Sequence, residues 1–215
     1  MKKITIGAFV AILVLVAGCR WVGIQGNGHI VTDQRTIEDF SELHASGAFK
    51  IEWRNGPPAL SITTDENLLP YVETRRIDNH LELRTRERLW PRHGIKVVVS
   101  SSTRTGAKLS GATDLTASGL SGPKFAVESR GASDMTLDGV VDELLADMTG
   151  ASDLKAEALQ ARSVQISTTG AGDALVNPTE TLRVAITGAG DVTYFGNPKT
   201  IEKHITGAGS IRHRN

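Results

Sequence analysis

The carboxylates with the greatest potential for chemistry in this sequence recur at one place in a repeated turn. Each stands three residues after a glycine, in segments such as "GATD", "GASD" and "GAGD". They are Asp114, Asp134, Asp153, Asp173 and Asp191, referred to below as the aspartate file. Aspartates in glycine-rich turns can hold a calcium ion, or they can accept hydrogen bonds from backbone N–H groups and so shape the turn.

One carboxylate per repeat favours a structural role over a calcium site. Calcium takes about six to eight oxygen ligands, and calcium-binding toxin repeats are about nine residues long with more glycine and aspartate. Stacked carboxylates about 4.8 Å apart repel one another by about 1 kcal/mol in water, so N–H donors, interleaved cations or a metal must offset the repulsion. We predict that each aspartate accepts hydrogen bonds from N–H groups two residues further on, with no metal site; cation binding is the alternative.

Side chains suited to catalysis do not occur in a pattern typical of an enzyme. The six histidines are scattered, lack the "HExxH" spacing and are expected to be isolated surface groups; they are residues 29, 44, 80, 93, 204 and 213. The sequence contains no "GxSxG", and no helix follows the "GxG" of "TGAGD" to bind a phosphate. The sequence therefore predicts no catalytic residue, no cofactor and no enzymatic activity.

Polysaccharide lyases built on β-helices provide the alternative function. They use carboxylates to hold calcium and a lysine or arginine as base, and Arg130, Lys155 and Arg183 lie near the aspartate file in the sequence. The copies are uniform, however, whereas a catalytic site should interrupt the repeat at one place. A polysaccharide-acting enzyme and a calcium-dependent glycan binder are therefore kept as alternatives.

The segment "RTRERLWPRHG", Arg84 to Gly94, is the most distinctive part of the chain outside the repeat. A tryptophan flanked by arginines can stack on a sugar or meet an acidic polymer. We interpret Trp90 instead as part of a solvated loop that covers an open end of the fold, with a binding surface as the alternative. Trp53, in the "FKIEW" strand, is predicted to be structural.

The elements that position these side chains follow from the repeat itself. The turn glycines are spaced by 18 to 20 residues, at Gly111, Gly131, Gly150, Gly170, Gly188 and Gly207. Apolar and polar residues alternate before and after each turn, which is typical of strands with one buried face. At the second bend of a copy, Leu120, Val140 and Leu159 are predicted to point inward. Glycine is expected where φ is positive, and alanine or serine where no side-chain volume fits.

The fold class predicted from this period is all-β. Coils of about 19 residues favour a β-solenoid, similar to a right-handed β-helix, with one coil stacked on the next. A β-sandwich is the alternative, although hairpins would reverse the strand direction between copies and would not require the same turn each time. One short helix is predicted at "ENLLPYV" in the N-terminal third, capped by Thr64 or Asp65.

The N-terminus has the features of a lipoprotein signal. A basic start, a short apolar run and "VAGC" precede the single cysteine of the chain, so residues 1–18 are predicted to be a signal peptide and Cys19 the lipid-attachment site. Residues 19–34 are expected to form a tether and residues 35–215 the solenoid domain. Arg20, where aspartate would favour retention in the inner membrane, makes the outer membrane the better prediction. The mature chain carries 22 basic and 24 acidic residues, which gives no reason to expect nucleic-acid binding.

The order of several segments resembles one known family. "SGAFKIEW", "DENLLPYVET", "IKVVV", the serial "SGASD" and "TGAGD" turns and the terminal "ITGAGSI" are similar to the putative auto-transporter adhesin head GIN domain, from about Gly26 to Ile211. The resemblance implies a β-solenoid in an exported or lipid-anchored bacterial envelope protein. We therefore expect a non-catalytic, lipid-anchored protein that presents a rigid surface to a glycan, an envelope protein or another copy of itself.

Overall fold

The computed structural model describes residues 23–214, and 71% of these residues lie in β-strands. Cys19 and the predicted signal peptide lie outside the described residues. Nine strands form the N-terminal part: β1 (Ile24–Gln25), β2 (Ile30–Arg35), β3 (Glu42–Gly47), β4 (Lys50–Asn55), β5 (Ala59–Asp65), β6 (Val72–Ile77), β7 (His80–Thr85), β8 (Leu89–Trp90) and β9 (Lys96–Ser101). Within residues 23–214, no helix is long and apolar enough to cross a bilayer.

Eight further strands form the regular coils. They are β10 (Gly106–Gly111), β11 (Asp114–Gly131), β12 (Asp134–Gly150), β13 (Asp153–Gly170), β14 (Ala174–Gly188), β15 (Asp191–Tyr194), β16 (Thr200–Gly207) and β17 (Ser210–His213). The long strands β11 to β14 each run through the second bend of a copy. Every pairing between consecutive coils is parallel, and the chain forms a β-solenoid of about five turns. The predicted solenoid is confirmed, and the β-sandwich alternative is wrong because no strand direction reverses between copies.

The turn glycines lie directly over one another. Gly111 is in register with Gly131, and the alignment continues through Gly150, Gly170, Gly188 and Gly207. Each has a positive φ between 100° and 133°. A Cβ on any of them would lie 2.1 to 2.5 Å from the carbonyl oxygen of the glycine one coil below. Glycine is therefore required by both the backbone conformation and the close approach of the next coil.

The two residues after each turn glycine differ in their environment. The alanine that follows donates its N–H to the glycine carbonyl of the preceding coil, at 2.8–2.9 Å in six places. Its side chain is exposed in all six copies, so lack of space does not explain alanine there, contrary to our prediction. The next position, which holds Thr113, Ser133, Ser152 and Gly172, is buried and does require a small residue.

The inward positions form one continuous core. From β10 to β14, the residues two, four and six positions before each turn glycine are buried, except Thr105. After the turn, the core is filled by Leu115, Met135, Leu154, Ala174 and Val192. Leu120 and Leu159 also point inward, as predicted. Val140 does not: it is 60% exposed, while Val141 is buried. The register slips at this bend, where Leu120 pairs with Gly139, so the inward position falls one residue later in β12.

The N-terminal strands close one end of the solenoid. Strands β3 and β4 form an additional coil below β10 and β11, and β7 and β9 pair in parallel with that coil on its outer side. Beyond them the pairing becomes antiparallel, with β6 on β7, β5 on β9 and β2 on β5. These strands, with the connection to β10, are called the N-terminal cap (residues 23–105). Within residues 24–35, β1 pairs with β8 and β2 pairs with β5, so both strands take part in the pairing of the cap.

The predicted short helix is present as one 3-10 helix, Glu66–Tyr71. Asp65 precedes it, but its side chain makes no capping hydrogen bond, and Thr64 donates its hydroxyl to the carbonyl of Gly94. The fully buried carboxylate of Asp65 instead accepts N–H groups from Gly28 at 2.7 Å and Arg92 at 2.9 Å. The capping prediction was wrong because those loops, distant in sequence, supply the donors.

The C-terminal end carries no equivalent covering strands among the described residues. In β16 the inward positions are Ile201, Lys203 and Ile205, and all three are exposed. The position of Lys203 holds Val127, Ala146, Ile166 and Val184 in the coils below, all of them buried. An inward-pointing charge on an edge strand disfavours the addition of another strand.

Candidate functional site

The aspartate file is assembled at one corner of the solenoid, and three of its five carboxylates accept hydrogen bonds from the next coil. Asp153 accepts the backbone N–H of Asp173 at 3.0 Å, and Asp173 accepts that of Asp191 at 2.8 Å. Asp191 accepts the N–H of Ser210 at 2.9 Å and its hydroxyl at 2.8 Å. Each of these donors is therefore 18 to 20 residues further along the chain, rather than two as predicted.

This geometry explains how like charges can be stacked. A hydrogen bond to an ionised acceptor is stronger than one between neutral groups, so each N–H offsets part of the repulsion. The hydroxyl of Ser210, helped by the charge of Arg212, lowers the pKa of Asp191 below its ordinary value. Among the described residues no group of three or more His, Cys, Asp or Glu side chains is arranged to hold a metal ion.

Two histidines that look isolated in the sequence lie together on the outer face. The rings of His44 and His80 stack with centroids 3.9 Å apart, and Nε2 of His44 is 3.3 Å from a carboxylate oxygen of Glu42. Burial and the neighbouring His80 lower the pKa of His44, which favours the neutral form of this ring. The alignment of β3 with β7 could not be inferred from the repeat, because β7 is not one of its copies.

One concave feature is a groove on the outside of the sheet formed by the strand segments that precede the turn glycines. It is called the outer groove. Its central hollow, about 460 Å³, lies over Gly106 and Ala126 and is bordered by Glu42, Leu145 and Gln165. It exists because two small residues stand side by side in a row whose other members have long side chains. The repeat pattern did not predict this groove, although small residues at the same outward position of two consecutive coils are a signal for it.

Two smaller hollows extend the outer groove in both directions. One of about 170 Å³ lies beside His44 and Ser110, separated from the centre by the ion pair of Lys108 and Glu128 at 3.6 Å. The other, about 390 Å³, lies beside Arg183 and His204. Charges of both signs, amides and hydroxyls line the surface, and histidines are its only aromatic side chains. The groove is suited to a long polar ligand held by many hydrogen bonds.

The segment around Trp90 is ordered by strand pairing. Leu89 and Trp90 form β8, which pairs in parallel with β1, and Trp90 is 36% exposed. The guanidinium of Arg88 lies 4.8 Å from the centre of that ring. Trp53, by contrast, is fully buried, and its Nε1 donates to the hydroxyl of Ser101 at 2.9 Å. The structural role predicted for Trp53 is confirmed.

A cluster of charges in the cap was also not anticipated. The nearly buried carboxylate of Glu73 contacts Arg84 at 2.6 Å, Arg75 at 3.3 Å and Arg86 at closer range. Arg86 and Arg84 lower the pKa of Glu73 below its ordinary value. One carboxylate thus holds three guanidinium groups on the β6–β7 hairpin, which leaves a local excess of positive charge.

Comparison with known proteins identifies one family and several similar solved structures. The model of the family described as "putative auto-transporter adhesin, head GIN domain" matches residues 39–198. None of the curated proteins matches this sequence.

The similar crystal structures share the fold. A putative adhesin from Bacteroides fragilis NCTC 9343 is 22% identical with a TM-score of 0.74; the match covers 89% of this chain and 100% of that chain. A putative adhesin from Parabacteroides merdae ATCC 43184 is 21% identical with a TM-score of 0.59, over 90% and 100% of the two chains. One from Parabacteroides distasonis ATCC 8503 is 19% identical with a TM-score of 0.55, over 89% and 100%. These likenesses establish the fold and leave the ligand to the chemistry of the surface.

Proposed function

The chain belongs to the family of putative auto-transporter adhesin, head GIN domains, and from this premise we propose that it is a non-catalytic, lipid-anchored protein of the cell envelope. Its solenoid presents a rigid outer face for adhesion or for contact with an envelope component. The adhesin names of the family and of its solved members are consistent with an exported role of this kind.

The observation that carries the proposal is the outer groove. Nine strands in register, from β6 to β16, fix its side chains on a backbone that is hydrogen-bonded on both sides except at the two edges. A rigid site loses little conformational entropy on binding. Its mixed charges, amides and hydroxyls match the hydroxyl and carboxyl groups of a bacterial glycan or the polar surface of an envelope protein.

The binding test fills the central hollow. Ala126→Arg places a long side chain in the hollow. Thr116→Arg is the control, because it adds the same residue at an exposed position of β11 that lies before the bend of this strand and outside the outer groove. On an array of bacterial glycans and envelope extracts, we expect wild type and Thr116→Arg to share a ligand that Ala126→Arg loses. Equal binding by all three proteins would remove the outer groove from the proposal.

The same array separates the alternatives. Binding that disappears with EDTA would favour a calcium-dependent glycan binder, and release of shortened products from an acidic polysaccharide would favour an enzyme. Under the proposal, binding survives EDTA and the polysaccharide is recovered intact.

Lipid anchoring at Cys19 is the second part of the proposal. We expect the mature chain purified from membranes to carry an acylated Cys19 as its first residue, and Cys19→Ala to abolish this modification. Intact mass spectrometry measures both, and fractionation of the envelope tests the outer-membrane location. An unmodified Cys19 in the mature chain would contradict the anchor and leave the binding proposal untouched.

Self-association is the remaining interaction that the fold allows. A second copy would add at the C-terminal end, where β16 and β17 are the last strands of the described chain, and Lys203 opposes that addition. We expect no nucleic-acid partner, because neither the net charge nor the outer groove is strongly basic.

A further inference from the structure

We propose that the arginine-rich segment around Trp90, together with the charge cluster at Glu73, is a membrane-facing surface that contacts anionic lipid headgroups. This inference rests on the lipid anchor proposed above. It assigns a partner to the one distinctive motif that the outer groove leaves without a function, and the partner follows from where the fold places the motif.

Strand pairing joins the motif to the point where the chain leaves its anchor. Ile24 is in register with Leu89 and Gln25 with Trp90, and the N–H of Ile24 donates to the carbonyl of Arg88 at 2.9 Å. Gly23 packs against the indole so closely that a Cβ there would lie 2.4 Å from its Nε1. The first described residues are therefore fixed to the segment that carries Arg88 and Trp90.

The distance to the bilayer is limited by the few residues between Cys19 and β1. Four residues separate Cys19 from Ile24. A fully extended chain covers at most about 3.5 Å per residue, so Ile24 lies within about 18 Å of the lipidated residue. Because β8 pairs with β1, Trp90 and its neighbouring arginines are held at the membrane-proximal side of the molecule.

The side chains held there are those that suit a bilayer interface. Arg75, Arg84 and Arg86 are gathered on Glu73 yet keep side-chain exposures of 55%, 42% and 60%. Arg84 and Arg86 donate to Glu73 through Nε, and the other N–H groups of each guanidinium are the donors that can bind a phosphate. The partly exposed ring of Trp90 has the amphipathic character of interfacial tryptophans.

The acidic groups of the same segment do not cancel this charge. Residues 71–92 contain six arginines and four acids, namely Glu73, Asp78, Glu82 and Glu87. The C-terminal end, with Lys199, Lys203 and Arg212 against Glu202, is at least as basic but lies at the far end of the solenoid. Charge alone would therefore not distinguish the two ends, whereas the position of the anchor does.

The experiment reads the environment of Trp90 in the anchored protein. The acylated mature chain, with Trp21→Phe, is reconstituted in vesicles of neutral phosphatidylcholine or of phosphatidylcholine with phosphatidylglycerol, each containing brominated lipid as quencher. Trp53 is fully buried, so quenching reports on Trp90. We expect quenching in the anionic vesicles, a large reduction in the neutral ones, and loss at high salt because exposed charges are screened.

Paired variants provide the control. Arg86→Gln with Arg88→Gln should shift the docked population by about 30-fold, from the contribution of two arginines near an anionic surface. Lys199→Gln with Arg212→Gln removes the same charge at the other end and should leave quenching unchanged. Equal effects of both pairs, or equal quenching in the two lipids, would overturn the proposal.

Two further outcomes are decisive. Protection of Trp90 by a soluble acidic polysaccharide, with no quenching in vesicles, would assign the segment to a polyanion and reject the membrane contact. Mass spectrometry detects an unacylated Cys19 beforehand, and that result would contradict the proposed lipid anchor and with it this inference. Acylation with an unquenched Trp90 fails only this inference.

Discussion

In the regular coils the stabilising contacts repeat from one copy to the next, whereas in the N-terminal cap each contact is made once. The coils depend on backbone groups, as in the bond from Ala171 N–H to the carbonyl of Gly150 at 2.9 Å. The cap depends on side chains with individual partners, such as the buried carboxylate of Asp65 between two loops.

The junction between the two regions combines both kinds of contact. Residues 102–105 cross from β9 to β10 over the coil of β3 and β4. Arg104, buried in this crossing, donates to the carbonyls of Ser118 at 2.6 Å and Gly119 at 2.5 Å. Burial lowers the pKa of Arg104, and the charge of Asp138 opposes that change.

The comparison shows that a solenoid needs different chemistry to continue than to end. A coil presents to the next coil the same backbone edge that it received, so identical residues suffice. At the N-terminal end the coil of β3 and β4 has no further repeat as a neighbour. The chain covers it with β7 and β9, which run parallel to it, and then with antiparallel strands held by charged side chains.

The largest effect is expected from breaking the stacking itself. Gly170→Ala would place a Cβ 2.1 Å from the carbonyl oxygen of Gly150, and we expect a loss of more than about 4 kcal/mol of unfolding free energy. Gly122 has nearly the same φ, +127° against +131°, but an added Cβ meets nothing within 4 Å. Gly122→Ala should therefore cost only about 1–3 kcal/mol of backbone strain. Urea unfolding of both variants measures the difference, and equal losses would refute the role assigned to stacking.

The second effect tests the cap. Asp65→Ala leaves the N–H groups of Gly28 and Arg92 without their acceptor, and we expect a loss of about 3 kcal/mol. Asp65→Asn keeps one acceptor oxygen and should lose less. Thermal unfolding measures both, with Glu87→Ala, which removes an exposed carboxylate of the same region, as control. If Asp65→Ala changed the stability only slightly, the hydrogen bonds of Asp65 would not be important for holding the cap together.

A smaller effect tests the aspartate file. Asp173→Ala removes the acceptor for the N–H of Asp191 and should cost about 1 kcal/mol, because relief of repulsion between neighbouring carboxylates offsets part of the loss. The carboxylate of Asp114 accepts no hydrogen bond from the described residues within the usual geometric limits, so Asp114→Ala should be nearly neutral. Chemical denaturation measures the free energy of unfolding of both variants. An equal loss in Asp114→Ala and Asp173→Ala would contradict the stabilising role assigned to the hydrogen bonds between coils.

The smallest effect concerns pH. The pKa of Glu73 is lowered in the folded protein, so its ion pairs stabilise the fold fully above the ordinary value of 4.5 and are lost as pH falls through the lower folded value. Glu73→Gln should therefore reduce the fall in stability below pH 4.5 relative to wild type. Arg86→Gln should act in the same direction. A steeper decline in Glu73→Gln, measured by urea unfolding at several pH values, would contradict this assignment.

Much of the repeated part could be predicted from the sequence. The period, the inward rows and the turn glycines follow from local rules, because a strand with one buried face alternates and a stacked turn excludes a Cβ. The prediction was wrong at the bend near Val140, because a slip in register between β11 and β12 moves the inward position by one residue. The N–H donors to Asp153 and Asp173 were also not predicted, because they come from the next coil.

By itself the sequence determined the coil, its turn and its core, since these depend on contacts that every copy makes in the same way. Only the tertiary structure decided which strands close the N-terminal end and which loops meet at Asp65. The physical reason is that those features join residues about 20 to 65 positions apart through pairings that occur once, as between β10 and β3. A pattern in sequence records what is repeated, and a single long-range pairing leaves no period to detect.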